Sequence, residues 1–409
     1  MQKLELGTIS PTDTGAFNRQ RVINSLLGEA NLSRSAIARK LGLSESALSR
    51  IVRDLILDGL VCEVGEMHET GRVGRRHVTL DLVANASVIA VIWLTVFSQG
   101  VSIVDAQGRR LASMELPKLA ERQHDEIPSL LADGVRQLAS RIGRSVTKFA
   151  GVHVCVVGEL DATRTTILKC SLPNIASQQL GVSLRERLGL AVELFSMGEV
   201  FNIARMHHQA SRIPINPEAQ VVQDISVETA LVLNVTIGVG AHLALPNAGF
   251  ESAVNERMFG HVKVSGGQRL CQCGQRGCLG VEAGGEGVLI DLGLRGLEAD
   301  PIDPTGLRAV LELAEKHNEK AIAALKRAGR TLGENIYPIC AVVRLDQIVL
   351  AGSVGRTPSY AAAVAEGLRD VLGPLQPSIP PVFVCDVDYQ RAAELSGVII
   401  YLFKAIRSD

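Results

Sequence analysis

The stretch Ser33-Arg-Ser-Ala-Ile-Ala-Arg-Lys-Leu-Gly42-Leu-Ser44-Glu-Ser46-Ala-Leu-Ser49-Arg50-Ile-Val-Arg53-Asp-Leu-Ile-Leu-Asp-Gly59 reads as two short capped helices around a glycine turn, a helix-turn-helix pattern. Ser33 and Ser44 are natural N-caps, and Leu48, Ile51, Val52, Leu55 and Ile56 recur at the spacing that buries one helical face. The opposite face then presents Glu45, Ser46, Ser49, Arg50 and Arg53. Short hydroxyls near a helix start, followed by two arginines, are groups that enter a major groove, bond base edges and neutralise phosphates. Residues 61–82 alternate like a hairpin whose tip, Glu69-Thr-Gly71-Arg72-Val-Gly74-Arg75-Arg76-His77, concentrates glycines and arginines. Such a hairpin has the character of a wing, with Arg72, Arg75 and Arg76 placed to reach a minor groove or the backbone. The expected DNA-contacting set is Ser44, Ser46, Ser49, Arg50, Arg53, Arg72, Arg75 and Arg76. The competing reading is a three-helix domain that makes protein contacts; helix pair and basic hairpin together, in this order, favour DNA.

The rest of the chain limits how DNA can be bound. Of 409 residues, 42 are Lys or Arg and 43 Asp or Glu, a formal net charge of -1, so the molecule is no polycation and any DNA contact comes from a local patch. The longest apolar run, residues 88–97, is too short to span a bilayer, and the first residues lack a signal-peptide pattern, so a cytoplasmic protein without membrane contact is expected. From residue 88 onward the sequence turns to β-branched runs alternating with helical stretches, an α/β body. Strands are expected over 88–96, 100–105, 109–114, 149–157, 230–237, 239–245 and 347–350, and helices over 127–142, 182–188, 198–206 and 306–336.

Five of the eight cysteines are scattered, whereas Cys271, Cys273 and Cys278 fall within eight positions, Cys271-Gln-Cys273-Gly274-Gln-Arg-Gly277-Cys278. With His261 they supply one imidazole and three thiolates, a complete tetrahedral set for zinc, and the two glycines let the loop fold back on one ion. Four protein ligands leave no open position for water, so the expected cofactor is a structural zinc in a reducing compartment. His207 and His208 are expected on a helix surface.

Helix-turn-helix and cysteine motif together resemble the ROK family (repressors, open reading frames, kinases), specifically its sugar-responsive repressors. Residues 149–158 look like the family's apolar strand ending in glycine. Leu172-Pro173-Asn174 looks like its Pro-Asn loop, Gly260-His261 like the end of its Glu-x-Gly-His motif, and Ile348-Val-Leu-Ala-Gly-Ser-Val-Gly355 like its late glycine turn. The resemblance implies a winged helix-turn-helix over 1–83 on a two-lobed, actin-like (ribonuclease-H-like) α/β body. Lobe 1 is expected over 84–205 with the C-terminal segment 386–409, and lobe 2 with the zinc loop over 206–385.

The departures decide the expected activity. ROK kinases open with an Asp-x-Gly-Gly-Thr phosphate loop, whereas this chain has Ile92-Trp93-Leu-Thr-Val-Phe97-Ser-Gln-Gly100. The kinase's Asn-Asp pair is expected to fall on Leu194 and Phe195, its Glu before Gly-His on Met258, and its Glu after Cys-Leu on Gly280, with Glu282 two places on. None of the four replacements can take a hydroxyl proton or bond a sugar hydroxyl through its side chain. Kinase chemistry is therefore expected to be lost, and Asn174, His261 and Glu282 remain as effector-binding candidates. The function implied is a DNA-binding repressor of carbohydrate-related genes, relieved by a sugar or sugar-derived effector in the interlobe cleft. It would act as a homodimer or homotetramer on a double-stranded operator. The alternatives are a sugar kinase-like enzyme and a regulator controlled by zinc or a protein partner.

Overall fold

The computed structural model describes residues 11–29, 31–67, 77–170, 172–207, 212–215, 228–245, 256–295, 304–373 and 379–407. The chain begins with α1 (Pro11–Gly28), β1 (Leu32–Ser33), α2 (Arg34–Leu41), α3 (Glu45–Leu57), β2 (Val61–Met67) and β3 (His77–Leu82). Both expected caps are made: Ser33 and Ser44 accept from the amides of Ala36 and Ala47, each at 3.2 Å. Between the helices Gly42 takes a φ of +66°, a left-handed turn that a β-carbon would strain. Leu48, Ile51, Val52 and Leu55 of α3 pack with Val22, Ile23, Leu26 and Leu27 of α1, and Ile56 is half-buried at the margin. β2 and β3 pair antiparallel from Val61–Leu82 to Met67–His77, so the hairpin stem exists. The tip, residues 68–76, lies outside the described residues.

Lobe 1 comprises β4 (Val88–Leu94), β5 (Gln99–Asp105), β6 (Arg110–Glu115), α4 (Ile127–Arg141), β7 (Gly151–Val156), β8 (Gly158–Leu160), β9 (Ile167–Cys170), α5 (Leu180–Leu188), β10 (Val192–Ser196) and α6 (Met197–Ala204). Its sheet runs β10-β7-β4-β5-β6, with β10, β7 and β4 parallel and the remaining pairs antiparallel. Lobe 2 comprises β11 (Arg212–Pro214), β12 (Ala230–Val235), β13 (Val239–Ala244), α7 (Glu256–Phe259), α8 (Leu279–Ala283), α9 (Gly285–Asp291), α10 (Pro304–Glu315), α11 (Glu319–Asn335), α12 (Tyr337–Val342), β14 (Gln347–Ala351), α13 (Gly352–Gly355), α14 (Pro358–Leu372) and β15 (Val382–Cys385). Its sheet runs β11-β15-β14-β12-β13. The chain ends in α15 (Tyr389–Arg407), which packs on β4, β5 and β7.

Strand periodicity explains how the lobes are held. β4 is buried along its whole length: Ile89, Val91 and Trp93 face a core shared with α6 and α15, while Val88, Ala90, Ile92 and Leu94 face a second core with α4 and α5. Val232 and Val349 of the lobe 2 sheet join that same α6–α15 core, so the two helices lie between the sheets. Where one helix over 306–336 was expected, the chain breaks at Lys316–Asn318. His317 turns left-handed at φ +61° and the Asn318 side chain caps α11 through the Ala321 amide at 3.1 Å.

The DNA-binding unit is fixed to this centre. α1 packs on α15, and the apolar core runs without interruption from Val22 to Ile406. Gln107, in the β5–β6 turn, donates to the Leu82 carbonyl at 2.7 Å and to Asp81 at 3.2 Å. The same turn is held from the other side by Arg391, which donates to Gly108 O at 2.7 Å and to the buried Glu394 at 3.0 Å; Arg110 binds that carboxylate bidentately at 2.6 and 3.0 Å.

His153 on β7 is fully buried, with Nε2 on Ser396 Oγ at 2.9 Å and its ring 4.5 Å from that of Phe195. Burial, reinforced by Lys404 and Arg164, lowers its pKa to about 3. A lowered folded-state value means the unfolded chain takes up this proton below about 6.5 while the native protein refuses it. Stability from His153 is therefore complete above that pH and falls toward pH 3 by about 1.4 kcal/mol per unit. Urea titrations at several pH values should give His153→Gln a slope shallower by one proton than the parent between pH 6 and 4. Equal slopes would contradict a neutral buried ring.

Candidate nucleic-acid interface and metal centre

The face of α3 opposite its buried stripe carries Ser46, Ser49, Arg50 and Arg53, all exposed, with the capping Ser44 at its start. These side chains, with Arg34, Ile56 and Leu57, line one shallow groove. Leu57 is 77% exposed at the far end of the helix. Arg53 stands 3.6 Å from Asp54, and Arg50 has no ion-pair partner among the described residues. Arg34, which opens α2, was not among the sequence candidates. Its signal was present, a basic residue directly after the Ser33 cap, but only the tertiary structure sets it beside α3. The expected wing residues Arg72, Arg75 and Arg76 lie outside the described residues.

The four expected metal ligands meet in space. The ligand atoms of His261, Cys271, Cys273 and Cys278 all lie within 4.8 Å of one another. His261 Nδ1 is 3.6 Å from Cys271 Sγ, and Cys273 Sγ is 3.7 Å from Cys278 Sγ. Tetrahedral thiolate coordination sets neighbouring ligand atoms about 3.5–3.8 Å apart, so the residues fit a metal ion. Gly274 and Gly277 adopt φ of +84° and +72°, the backbone reversal read from the sequence. Backbone bonds hold the cluster in shape: Cys271 N to Gln275 O at 2.7 Å, Val264 N to Gly277 O at 2.8 Å and Gly280 N to Gly260 O at 2.7 Å. Lys263 Nζ stands 3.8 Å from Cys278 Sγ, a cation beside a site whose three thiolates exceed the charge of a divalent ion. Without a cation, burial pushes the Cys271 thiol up to about 12, so a metal must displace that proton.

The effector candidates are placed separately. Asn174 Nδ2 donates to the carbonyls of Leu119, Ala120 and Arg122 at 3.2, 2.9 and 2.7 Å, stapling one lobe 1 loop to another. Glu282 accepts from the Arg269 amide at 2.9 Å and pairs with its guanidinium at 3.3 Å, while Arg269 reaches Asp291 at 2.5 Å. Glu282 thereby anchors the cysteine loop to α8 and α9, and His261 faces Cys271. Met258 is 58% exposed at the end of α7. Leu194 and Phe195 are internal residues of β10, buried in the cores on its two sides; Ser196 caps α6, and the first-turn Glu199 is committed to the Ser196 amide at 3.0 Å and to Arg164 at 2.6 and 3.0 Å. His207 is buried to 2% exposure, beyond the end of α6, and its ring closes on Gly108; it is not the surface residue expected, because the chain turns inward at Arg205. His208 is outside the described residues.

At the start of lobe 1 the turn between β4 and β5 is closed on itself. Thr95 Oγ1 accepts from the amides of Phe97 and Ser98 at 3.2 and 3.1 Å, consuming the donors with which a phosphate loop would grip its ligand. Val96 and Phe97 pack against the apolar core of lobe 2, and Arg308 of α10 donates to Phe97 O at 3.1 Å. Trp93 fills the space over Gly100, where any β-carbon would collide with its ring.

Comparison with known proteins agrees with this geometry. A winged helix-turn-helix DNA-binding family matches residues 18–61 and the ROK family matches residues 99–399. The chain is 24% identical over 332 residues to the DNA-binding transcriptional dual regulator NagC of Escherichia coli (strain K12), covering 79% of this chain and 77% of that protein. It is 26% identical over 185 residues to an N-acetylmannosamine kinase of Haemophilus influenzae (strain PittEE), covering 44% and 56%. Among solved structures, a ROK family transcriptional regulator homologous to the E. coli MLC protein superposes with a TM-score of 0.64 at 16% identity, over 97% of this chain and all of that one. A ROK family glucokinase from Streptomyces griseus, in complex with glucose and AMPPNP, gives 0.58 at 17% identity, over 76% and 98%. No helix among the described residues is long and apolar enough to cross a membrane. The chain belongs to the ROK family, with a winged helix-turn-helix ahead of the family's two-lobed body.

Proposed function

We propose that this protein is a sequence-specific transcriptional regulator of the ROK family, a repressor of carbohydrate-related genes that has no kinase activity. The observation that carries the reading is the exposed face of α3, where Ser46, Ser49, Arg50 and Arg53 stand clear of a helix whose other face is fully packed. Together with Ser44 and the wing residues Arg72, Arg75 and Arg76, they form the operator-reading set. The similarity, at 24% identity, to N-acetylglucosamine repressors of other Escherichia coli strains supports the carbohydrate link. We read residues 1–83 as the DNA-binding unit, 84–205 with 386–409 as lobe 1, and 206–385 as lobe 2. A homo-oligomer presents two such units to a two-fold operator, because one recognition helix buries too little surface for tight specific binding.

The self-bonded Thr95 turn and the apolar Val96–Phe97 contact across the lobes support the absence of phosphoryl transfer, as do Leu194 and Phe195 where the resemblance places a kinase's Asn-Asp pair. A sugar or sugar-derived effector in the interlobe cleft shifts the lobes and, through α15, the DNA-binding unit. Asn174, His261 and Glu282 are its candidate contacts; Asn174 Oδ1 accepts no bond among the described residues. The metal is zinc, held by His261, Cys271, Cys273 and Cys278 in a closed structural site. Zinc supplies cross-linking there and no reactive ligand position.

The test is affinity selection of the purified protein on fragments of its own genome at near-physiological salt. A few sharp palindromic peaks are expected, and a flat profile that fades with salt would reject specific recognition. On a selected fragment, Arg50→Ala should weaken binding about 10- to 100-fold, the range of a lost bidentate base contact, and relax preference at one base pair per half-site. A coupled assay showing sugar-dependent ATP turnover would move the protein to the kinases.

A further inference from the structure

Arg34 opens α2 on the same groove as Arg50 and Arg53, yet its guanidinium is engaged: Nη2 donates to Glu63 Oε1 of β2 at 2.7 Å. Glu63 is exposed and Arg34 half-buried, with side-chain exposures of 49% and 36%, and neither belongs to an apolar core, so the pair is open to solvent. An exposed ion pair of this kind is weak and readily exchanged. In helix-turn-helix docking the helix before the recognition helix crosses the sugar-phosphate backbone, which brings the first residue of α2 to the duplex when α3 enters the major groove. The Glu63 carboxylate then lies within a Debye length, about 8 Å at physiological salt, of the phosphates that Arg34 meets, and like charges at that range repel.

We propose that Arg34 is a phosphate clamp of the DNA-binding face and that Glu63 is its built-in competitor. On docking, Arg34 exchanges the carboxylate for a phosphate oxygen, and Glu63 is left facing the backbone unpaired. The pair thus holds down the sequence-independent part of the affinity, which every phosphate contact raises on correct and incorrect sites alike. Regulation by an effector benefits, because a repressor bound too tightly by its phosphate contacts is not released. This inference rests on the DNA-binding reading above.

The alternative is that the pair merely ties α2 to the wing, and sign separates the two. If the tie is structural, Arg34→Gln and Glu63→Gln both weaken DNA binding and lower thermal stability together. As a clamp and its competitor they act in opposite directions. The measurement is fluorescence anisotropy of the full-length protein with a 30-base-pair duplex of mixed sequence and with a fragment recovered from the genomic selection, each across a salt series. Glu63→Gln is expected to tighten binding to both duplexes about three- to tenfold, with an unchanged melting profile. Arg34→Gln is expected to weaken binding about fivefold and to make the log-affinity against log-salt slope shallower by about 0.9, one phosphate contact. In the Arg34→Gln background the gain from Glu63→Gln should shrink to less than about twofold, the part that like-charge repulsion alone contributes, since the competitor then has nothing to withhold. A gain that persists in full in that background would overturn the exchange and leave only general charge, and a loss of binding in Glu63→Gln would overturn the proposal outright. Failure of the parent protein to bind either duplex at low salt is a distinct result, one that removes the DNA reading itself.

Discussion

Cys278→Ser is expected to abolish metal binding and to lower the unfolding temperature of lobe 2 by about 10 °C. Cys278 is fully buried and is the hinge of the cluster, because it both faces Cys273 at 3.7 Å and precedes α8, whose Leu279, Val281 and Ala283 enter the core. A metal whose Kd lies about a thousandfold below its free concentration contributes about 4.1 kcal/mol to the folded state, and each kcal/mol shifts a lobe of this size by about 2–4 °C. Metal analysis of the purified protein should give one zinc per chain and none in the variant, with scanning calorimetry reading the shift. A strong chelator added to the parent should reproduce the shift. DNA affinity that tracks metal occupancy with no change in unfolding temperature would instead make the centre a sensor.

Glu228→Ala is expected to cost about 3–5 kcal/mol, more than any surface substitution, and to do so without touching a ligand or a base. Glu228 precedes β12 and is buried. It accepts from Arg205 Nη1 at 3.0 Å, stands 3.7 Å from Arg212 Nη1 and is also bonded by Gln347 of β14. Burial pushes the Glu228 carboxyl up from its ordinary range, against the pull of Arg205 and Arg212, and pushes the Arg205 guanidinium down. Without the carboxylate the buried Arg205 keeps, among the described residues, only the neutral Asn202 oxygen, at 3.0 Å, against its charge, and the penalty is that of a desolvated cation with no compensating anion at hand. The group sits where the chain leaves α6 and enters the second sheet, so the loss should appear as unfolding of both lobes in a single shifted transition. Replacement of Arg205 by leucine together with Glu228→Leu should recover a large part of the stability, because an apolar pair carries no desolvation cost. A single Ala variant as stable as its parent would mean that water reaches the network.

Much of the candidate site was legible because its signals are local. The caps at Ser33 and Ser44, the glycine turn at 42 and the four-residue spacing of Leu48, Val52 and Ile56 fix a helix pair within one short stretch, and exposure of the opposite face follows from helical period alone. The cysteine loop is equally local: Gly274 and Gly277 permit the reversal, and three sulfurs within eight positions converge on one point. His261, ten residues from Cys271, was singled out by its chemistry, an imidazole that completes the tetrahedral set.

What the sequence could not supply depends on which surfaces meet. His207 looks like a polar helix residue until the chain turns at Arg205 and carries it under Gly108. Leu194 and Phe195 read as replacing a kinase's polar pair, and only the register of β10 on β7 places them side by side on opposite faces of one buried strand. Glu282 looks like a free carboxylate until Arg269 arrives from the cysteine loop. In each case the residue type alone is compatible with more than one environment, and only long-range packing chooses between them.

The sequence by itself determined a winged helix-turn-helix, an α/β body and a sulfur-rich loop with the donor set to hold a metal, since each is written in period, caps and spacing over a few dozen residues. Only the tertiary structure decided that α6 and α15 lie between the two sheets, that one apolar core runs from Val22 to Ile406, and that Arg34 and Glu63 meet beside α3. Those facts arise from contacts between residues tens to hundreds of positions apart. Their energy comes from burying area and pairing charge across surfaces that no local pattern records.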